Sequence, residues 1–250
     1  METITSRKNE KVIHLKKLGA DRAYRRSSGA FLCDGEKLLR EAVLHGAKVQ
    51  MVFTCGELKT ELPAQVPVYS VSRDLIENIS PMKNPQDVLF SCEIPENRKE
   101  PVLSDPAIVL ENLQDPGNLG TILRTANAFQ IKTVVLVGAC ADPYNPKTVR
   151  ASMGAVFRQS VAELDYETLI CLKERGVVLA GAALDESSQP LDDADLSGIW
   201  PVIGSEGQGL SERMLALCEK KVVIPMDASC ESLNAGIAAA IIMWEMRKYR

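Results

Sequence analysis

At 250 residues, with 46% apolar and 25% charged side chains, the chain is long enough for one large domain or two modest ones and reads as globular, not disordered. The longest apolar run, Ala235 to Trp244, is too short to span a bilayer, and the opening METITSRKNEK has no apolar signal segment, so no membrane partner is expected. Net charge is −4, but the first 50 residues carry 11 Lys/Arg against 6 Asp/Glu while the remaining 200 carry 18 against 27, so a basic front precedes an acidic body and suits a polyanion partner, although an ordinary solvated face would have the same composition. Seven scattered cysteines, with no CxxC, fit a reduced, cytoplasmic protein. The only histidines, His14 and His45, are far apart, which argues against a zinc site or a Ser-His-Asp triad, and no metal is expected.

In chain order, Asn9 to Leu18 has helical spacing, with Val12, Leu15 and Leu18 on one side and lysines on the other. The stretch Ala20 to Ser28 is cationic. Arg22, Arg25 and Arg26 around Tyr24 are candidates for gripping phosphates and stacking on bases, with a plain solvated segment as the alternative. Strands are predicted at Phe31–Cys33, Val49–Thr54, Val66–Val71 and Val88–Cys92, with helices at Gly35–His45 and Arg73–Ile79. They make a small α/β unit over residues 1–93. Residues 94–106 hold three prolines and five charges without period and read as a linker.

From 107 to 250, strand and helix alternate. Strands are predicted at Ile108–Leu110, Thr133–Val137, Ser160–Leu164, Val177–Ala182, Trp200–Ile203 and Val222–Ile224. Helices are predicted at Gly120–Phe129, Asn145–Met153, Tyr166–Arg175, Leu210–Cys218 and Leu233–Trp244. Repeated βα units with near-continuous apolar strands mean an α/β fold with a mostly parallel sheet covered by helices on both faces.

Three loops after predicted strands carry the chemistry. In Glu111 to Arg124, Pro116, Gly117 and Gly120 force a tight turn; Asn118 lies six residues before Arg124, whose guanidinium sits among apolar positions and calls for an anionic partner. In Ile203 to Ser211, Gly204, Gly207 and Gly209 allow a close backbone approach. Their order is not the dinucleotide fingerprint, and Glu206 among them would repel a phosphate, so a neutral or cationic ligand suits better. In Ile224 to Asn234, the polar stretch from Met226 to Ser232 ends at Asn234, a good helix N-cap. Arg124, Glu206, Ser232 and Asn234 would form a polar cluster without a strong nucleophile.

NLQDPGNLGTILRTANAF, PVIGSEGQGLS and VVIPMDASCESLNAGIAAAI resemble, in order and spacing, the three motifs of the SpoU (TrmH-like) class of SPOUT RNA ribose 2′-O-methyltransferases, and VRASMGAVFRQSV between them is similar to the family as well. The resemblance covers residues 107 to 250. The first 93 residues resemble, more loosely, the L30e-like substrate-binding domain of many members.

The resemblance implies a C-terminal trefoil knot and S-adenosylmethionine (SAM) as methyl donor, bound by main-chain groups around Gly204, Ile224 and Leu233, with Ile203 and Met226 beside them. It also implies a homodimer with the last helix in its interface. Family motif residues fall on Asn118, Arg124, Glu206, Ser232 and Asn234. Arginine normally stays protonated, so Arg124 is expected to stabilise the developing oxyanion and bind the adjacent phosphate; a phosphate oxygen or Glu206 would take the proton. Ribosomal RNA is favoured over transfer RNA as substrate because of the added first domain. A non-catalytic RNA-binding protein of the same fold is the alternative of a different class. Two departures stand out: Gln130 where members often have glycine, and Ala235-Gly236 where Val-Ser is common.

Overall fold

The structure, a computed structural model, describes residues 1–95, 100–227 and 229–249. In chain order its elements are β1 (Glu2–Thr3), α1 (Glu10–Ala20), α2 (Arg22–Ser28), β2 (Ala30–Asp34), α3 (Glu36–Leu44), β3 (Val49–Thr54), β4 (Val68–Ser70), α4 (Arg73–Ile79) and β5 (Val88–Glu93). There follow β6 (Ala107–Glu111), α5 (Pro116–Ala128), β7 (Thr133–Val137), α6 (Pro146–Ser152), β8 (Ser160–Leu164), α7 (Tyr166–Glu174) and β9 (Val178–Ala182). The last are β10 (Gln189–Pro190), β11 (Ile199–Ile203), α8 (Glu212–Leu217), β12 (Lys220–Val223) and α9 (Ala235–Met246). They form two compact units: Met1–Glu96 with Asp142–Arg158, and Asn97–Ala141 with Gln159–Arg250. Of the expected linker 94–106, residues 96–99 lie outside the described residues, and 100–106 forms neither helix nor strand.

The first unit holds a five-stranded mixed sheet in the order β1-β4-β3-β5-β2. Alternation along the strands sends Leu32, Phe53 and Leu89 to one face, under α1 and α4. It sends Phe31, Cys33, Val52, Val88 and Phe90 to the other, under α3. That second face is completed by a segment far away in sequence. Tyr144, Val149, Val156 and Phe157 pack on it, with the Tyr144 and Phe157 rings 5.0 and 6.1 Å from that of Phe31. This is why Asp142–Arg158 belongs to the first unit, whereas its place in the chain had put it with residues 107–250. Arg25 of α2 locks the same segment. Its Nη2 lies 2.7 Å from Asp142 Oδ2, Nε donates to that oxygen at 2.8 Å and Nη1 donates to the Leu18 carbonyl at 2.7 Å, all buried.

The second unit holds a seven-stranded, wholly parallel sheet in the order β10-β12-β9-β11-β6-β7-β8. Ile108, Leu110, Val134 and Leu136 face α5 and α9. Ala107, Val109, Val135 and Val137 face α7 and α8. Both faces are therefore dry, which is the physical cause of the continuous apolar strands in the sequence. α5 starts four residues earlier than expected, because Asp115 accepts from the Asn118 N–H at 2.7 Å and Pro116 takes the first helical position, where its missing N–H costs nothing. Asn234 caps α9, its Oδ1 accepting from the N–H groups of Gly236 and Ile237 at 2.9 and 3.3 Å. No helix among the described residues is long and apolar enough to cross a membrane.

Candidate active site

In a parallel sheet the strand carboxyl ends all point one way, and ligands collect where the connections leave in opposite directions. Here β6 leads outward through β7 to β8, whereas β11 lies on its other side, next to β9 and β12. The loops leaving β9, β11 and β12 line a cleft of about 520 Å³, and the turn from β6 into α5 is tied to them by hydrogen bonds to Glu206.

Two carboxylates fix the loop after β11. Glu206, at its tip, accepts from the Asn118 side-chain amide at 2.9 Å and from the backbone N–H groups of Asp115 and Gln114 at 3.2 and 3.3 Å. Burial pushes the Glu206 carboxyl up, but these hydrogen bonds outweigh it and hold it below its ordinary value. Glu111, fully buried at the end of β6, accepts from the Ser211 N–H at 2.8 Å and from the hydroxyls of Ser211 and Tyr166. Ser211 in turn caps α8. The loop between is folded so tightly that a Cβ on Gly204 would stand 2.1 Å from the Gly209 backbone, so only glycine fits there. Ser205 and Gly209 exchange backbone hydrogen bonds of 3.0 Å across the turn.

The network continues into the third loop. Asn118 Oδ1 accepts from Asn234 Nδ2 at 3.0 Å, so a chain of side chains runs Glu206–Asn118–Asn234 through all three motif loops. Gly236 serves this junction. A Cβ there would come 3.1 Å from Asn234 Oδ1 and 3.5 Å from Asn118 Oδ1, so the bare position lets the cap and α5 close together.

Ile203, Gly204, Glu206, Ile224, Met226, Ser232 and Leu233, each singled out in the sequence, all line the cleft. Asn118 and Asn234 stand beside it through the hydrogen-bond chain. Arg124 does not join them. It is exposed on α5, lies outside the cleft lining and makes no hydrogen bond or ion pair among the described residues. The expectation of a guanidinium buried among apolar positions is corrected: α5 turns Leu119, Ile122, Leu123 and Ala126 inward and Arg124 out with Thr121 and Ala128.

The cationic stretch in the first unit also divides. Arg22 and Arg26 are exposed on α2. Tyr24 is half-buried, its hydroxyl 2.9 Å from His14 Nδ1 and its ring 5.3 Å from the Lys17 ammonium. Arg25 is withdrawn as an RNA contact, because its guanidinium is buried against Asp142 and Leu18.

Among the described residues the lining carries no lysine or arginine; it mixes apolar side chains such as Ile203, Ile224, Met226 and Leu233 with Ser205, Gln208, Ser232 and two carboxylates. Such a site suits an uncharged heterocycle bearing a positive group, and not a phosphate. A model described as the SpoU rRNA Methylase family matches residues 105–244. The chain belongs to the SpoU rRNA methylase family.

A second model, an MRM3-like substrate binding domain, matches residues 9–89. The 23S rRNA (guanosine(2553)-2′-O)-methyltransferase RlmP of Bacillus subtilis is 30% identical to this SpoU chain, over 99% of it and 100% of that protein. Among solved structures, an AdoMet-bound rRNA methyltransferase from Sinorhizobium meliloti is 28% identical and superposes with a TM-score of 0.86, covering 99% of this chain and 97% of that one. The SpoU methyltransferase AviRb from Streptomyces viridochromogenes, in complex with the cofactor AdoMet, is also 28% identical, with a TM-score of 0.80 and coverage of 96% and 98%.

Two parts of this SpoU site escaped the sequence reading. Glu111 was inside the first loop but not distinguished from its neighbours; a lone glutamate closing an otherwise apolar strand is the signal that marks it. The wall formed by Ala182, Ala183 and Leu184 after β9 gave no signal, because its side chains are apolar and only their position brings them to the cleft.

Proposed function

We propose that this protein is an SAM-dependent methyltransferase acting on a ribose 2′-hydroxyl of large-subunit ribosomal RNA. The observation that carries the reading is the cleft itself, beside which three motif loops are cross-tied by Glu206, Asn118 and Asn234 and whose lining, among the described residues, has no basic side chain. Full-length similarity to the Bacillus subtilis rRNA enzyme and to the AdoMet-bound structure supports both substrate class and cofactor. In this reading the last loop and helix are threaded as the family's trefoil knot, and the seven cysteines, none in a disulfide, suit the cytoplasm.

Main-chain groups at Gly204, Ile224 and Leu233 would hold SAM, with Ile203 and Met226 packing beside it. Bound there, SAM supplies a methyl already activated on a sulfonium, so the protein has to place the acceptor oxygen, accommodate its proton and keep water out. Ser232 would orient the ribose at the cleft, and Asn118 and Asn234 keep the loops in register. Arg124 would bind the neighbouring phosphate and stabilise charge developing on the 2′-oxygen. Glu206 is a poor proton acceptor, since hydrogen bonds from three donors hold it ionised and weakly basic. A phosphate oxygen of the RNA is the better acceptor. Arg22 and Arg26, with Tyr24 nearby, would contact RNA from the first unit.

A homodimer explains where Arg124 stands. α9 leaves Ile237 and Trp244 51% and 44% exposed beside α5, the helix that carries Arg124. A second copy covering this face would place Arg124 at the edge of a composite site. The experiment that tests the reading is mass mapping of methylated ribose in ribosomal RNA from cells with and without the protein, followed by transfer to matched RNA and DNA oligonucleotides. One missing 2′-O-methyl mark in large-subunit RNA, and no transfer to DNA, is expected; unchanged marks, or equal methylation of DNA, would defeat it.

A further inference from the structure

The cleft has a one-sided charge. Its lining contains two ionisable side chains among the described residues, Glu206 and Glu231, and both are acidic. They differ in their commitments. Glu206 is engaged by Gln114, Asp115 and Asn118 and serves to hold loops together. Glu231 makes no hydrogen bond or ion pair among the described residues, and it precedes Ser232 and Leu233 on the third loop. Glu231 is exposed at the wall of the cleft, and a carboxylate left uncommitted there contributes its field, reduced by solvent, to whatever enters.

We propose that Glu231 is a specificity-determining residue that separates the methyl donor from the spent product. This rests on the reading of the cleft as the SAM site. SAM carries a sulfonium, an ammonium and a carboxylate, a net positive charge; S-adenosylhomocysteine has lost the sulfonium charge and is neutral overall. The two share every other group. A negative wall therefore favours the donor over the product by electrostatics alone, without a contact that only one of them makes. The consequence for turnover is that transfer of the methyl removes the charge that Glu231 attracts, so the product leaves more readily than the donor.

The test is calorimetric titration of the full chain with SAM and with S-adenosylhomocysteine, for wild type, Glu231→Gln and Glu231→Asp. Glu231→Gln should raise the Kd for SAM roughly fivefold while changing that for the product by less than about twofold. Glu231→Asp, which keeps the charge, should retain the wild-type ratio of the two constants. Equal weakening of both ligands by Glu231→Gln would overturn the proposal, because it would mean that the carboxylate meets the amino-acid portion that both share. Unchanged constants for both would overturn it as well. A wild-type protein that binds neither ligand would instead defeat the cofactor reading, and this inference with it.

Discussion

Two arginines, one in a cationic stretch and one among apolar residues, have fates opposite to those their surroundings suggest. Arg25 is buried in an ion pair that joins α2 to the distant segment beginning at Asp142. Its removal leaves an uncompensated buried carboxylate, which costs about 3–5 kcal/mol. Arg25→Ala should therefore lower the unfolding free energy of the protein by that amount in denaturant titration, whereas Arg22→Ala and Arg26→Ala, at exposed positions, should weaken RNA binding. Arg124 is exposed and free of intramolecular partners among the described residues, so its loss should not disturb the fold. Arg124→Ala is expected to abolish methyl transfer while the calorimetric Kd for SAM stays within about twofold of wild type; retained turnover would remove Arg124 from the chemistry. At Glu206 the folded carboxyl is held below its ordinary value by Asn118 and two backbone amides. The stability it contributes is thus present above the unfolded value, near ~4.3, and lost as pH falls through the lower folded one. The pH–rate profile should show no inflection from Glu206 between about pH 5 and 9.

At the scale of elements, the connections decide more than the helices and strands do. Gln130 follows α5 with φ at 57°, a left-handed conformation that a side chain with a Cβ adopts only under strain. A glycine would adopt it freely, and Gln130→Gly should raise stability by up to about 1 kcal/mol, read as a higher denaturation midpoint at unchanged slope. The loop after β11 is governed by the same physics in a stricter form, since Gly204 faces backbone and not a yielding side chain. Two carboxylates of different kinds hold it, buried Glu111 at its end through Ser211 and exposed Glu206 at its tip.

For the molecule as a whole, the two units divide the work. The first is a mixed sheet whose second face is covered only with the help of Asp142–Arg158. The second is a parallel sheet whose carboxyl edge holds the cleft. On that second unit α9 packs Ala239, Ile242 and Met243 inward and still shows Ile237 and Trp244 outward, with Trp244 braced by Phe129 at 5.6 Å and by the Arg247 guanidinium at 3.6 Å from its ring. A tryptophan stiffened in this way is suited to an interface. Trp244→Glu should shift the protein from dimer to monomer in light scattering and lower methyl transfer more than tenfold, while leaving the far-ultraviolet spectrum unchanged; a wild-type monomer would defeat the dimer proposal.

Alternation of apolar residues, helix caps and the three polar loops were legible in the chain because each depends on neighbours within a few positions. Thr133–Val137, Ser160–Leu164 and Arg73–Ile79 fall where their periodicity placed them, and Asn234 caps the helix it was expected to cap. The gathering of Gly204, Ile224 and Leu233 at one cleft followed from motif order once the family was recognised. What no local pattern contained was pairing across long separations: Arg25 with Asp142, Glu111 with Ser211, Glu206 with Asn118, and Asn118 with Asn234. Whether a guanidinium is buried or exposed depends on which surface its helix turns to the sheet and on what covers the rest. For Arg25 and Arg124 only the assembled tertiary structure decides that, because the energy of a buried charge is set by partners that lie far away along the chain.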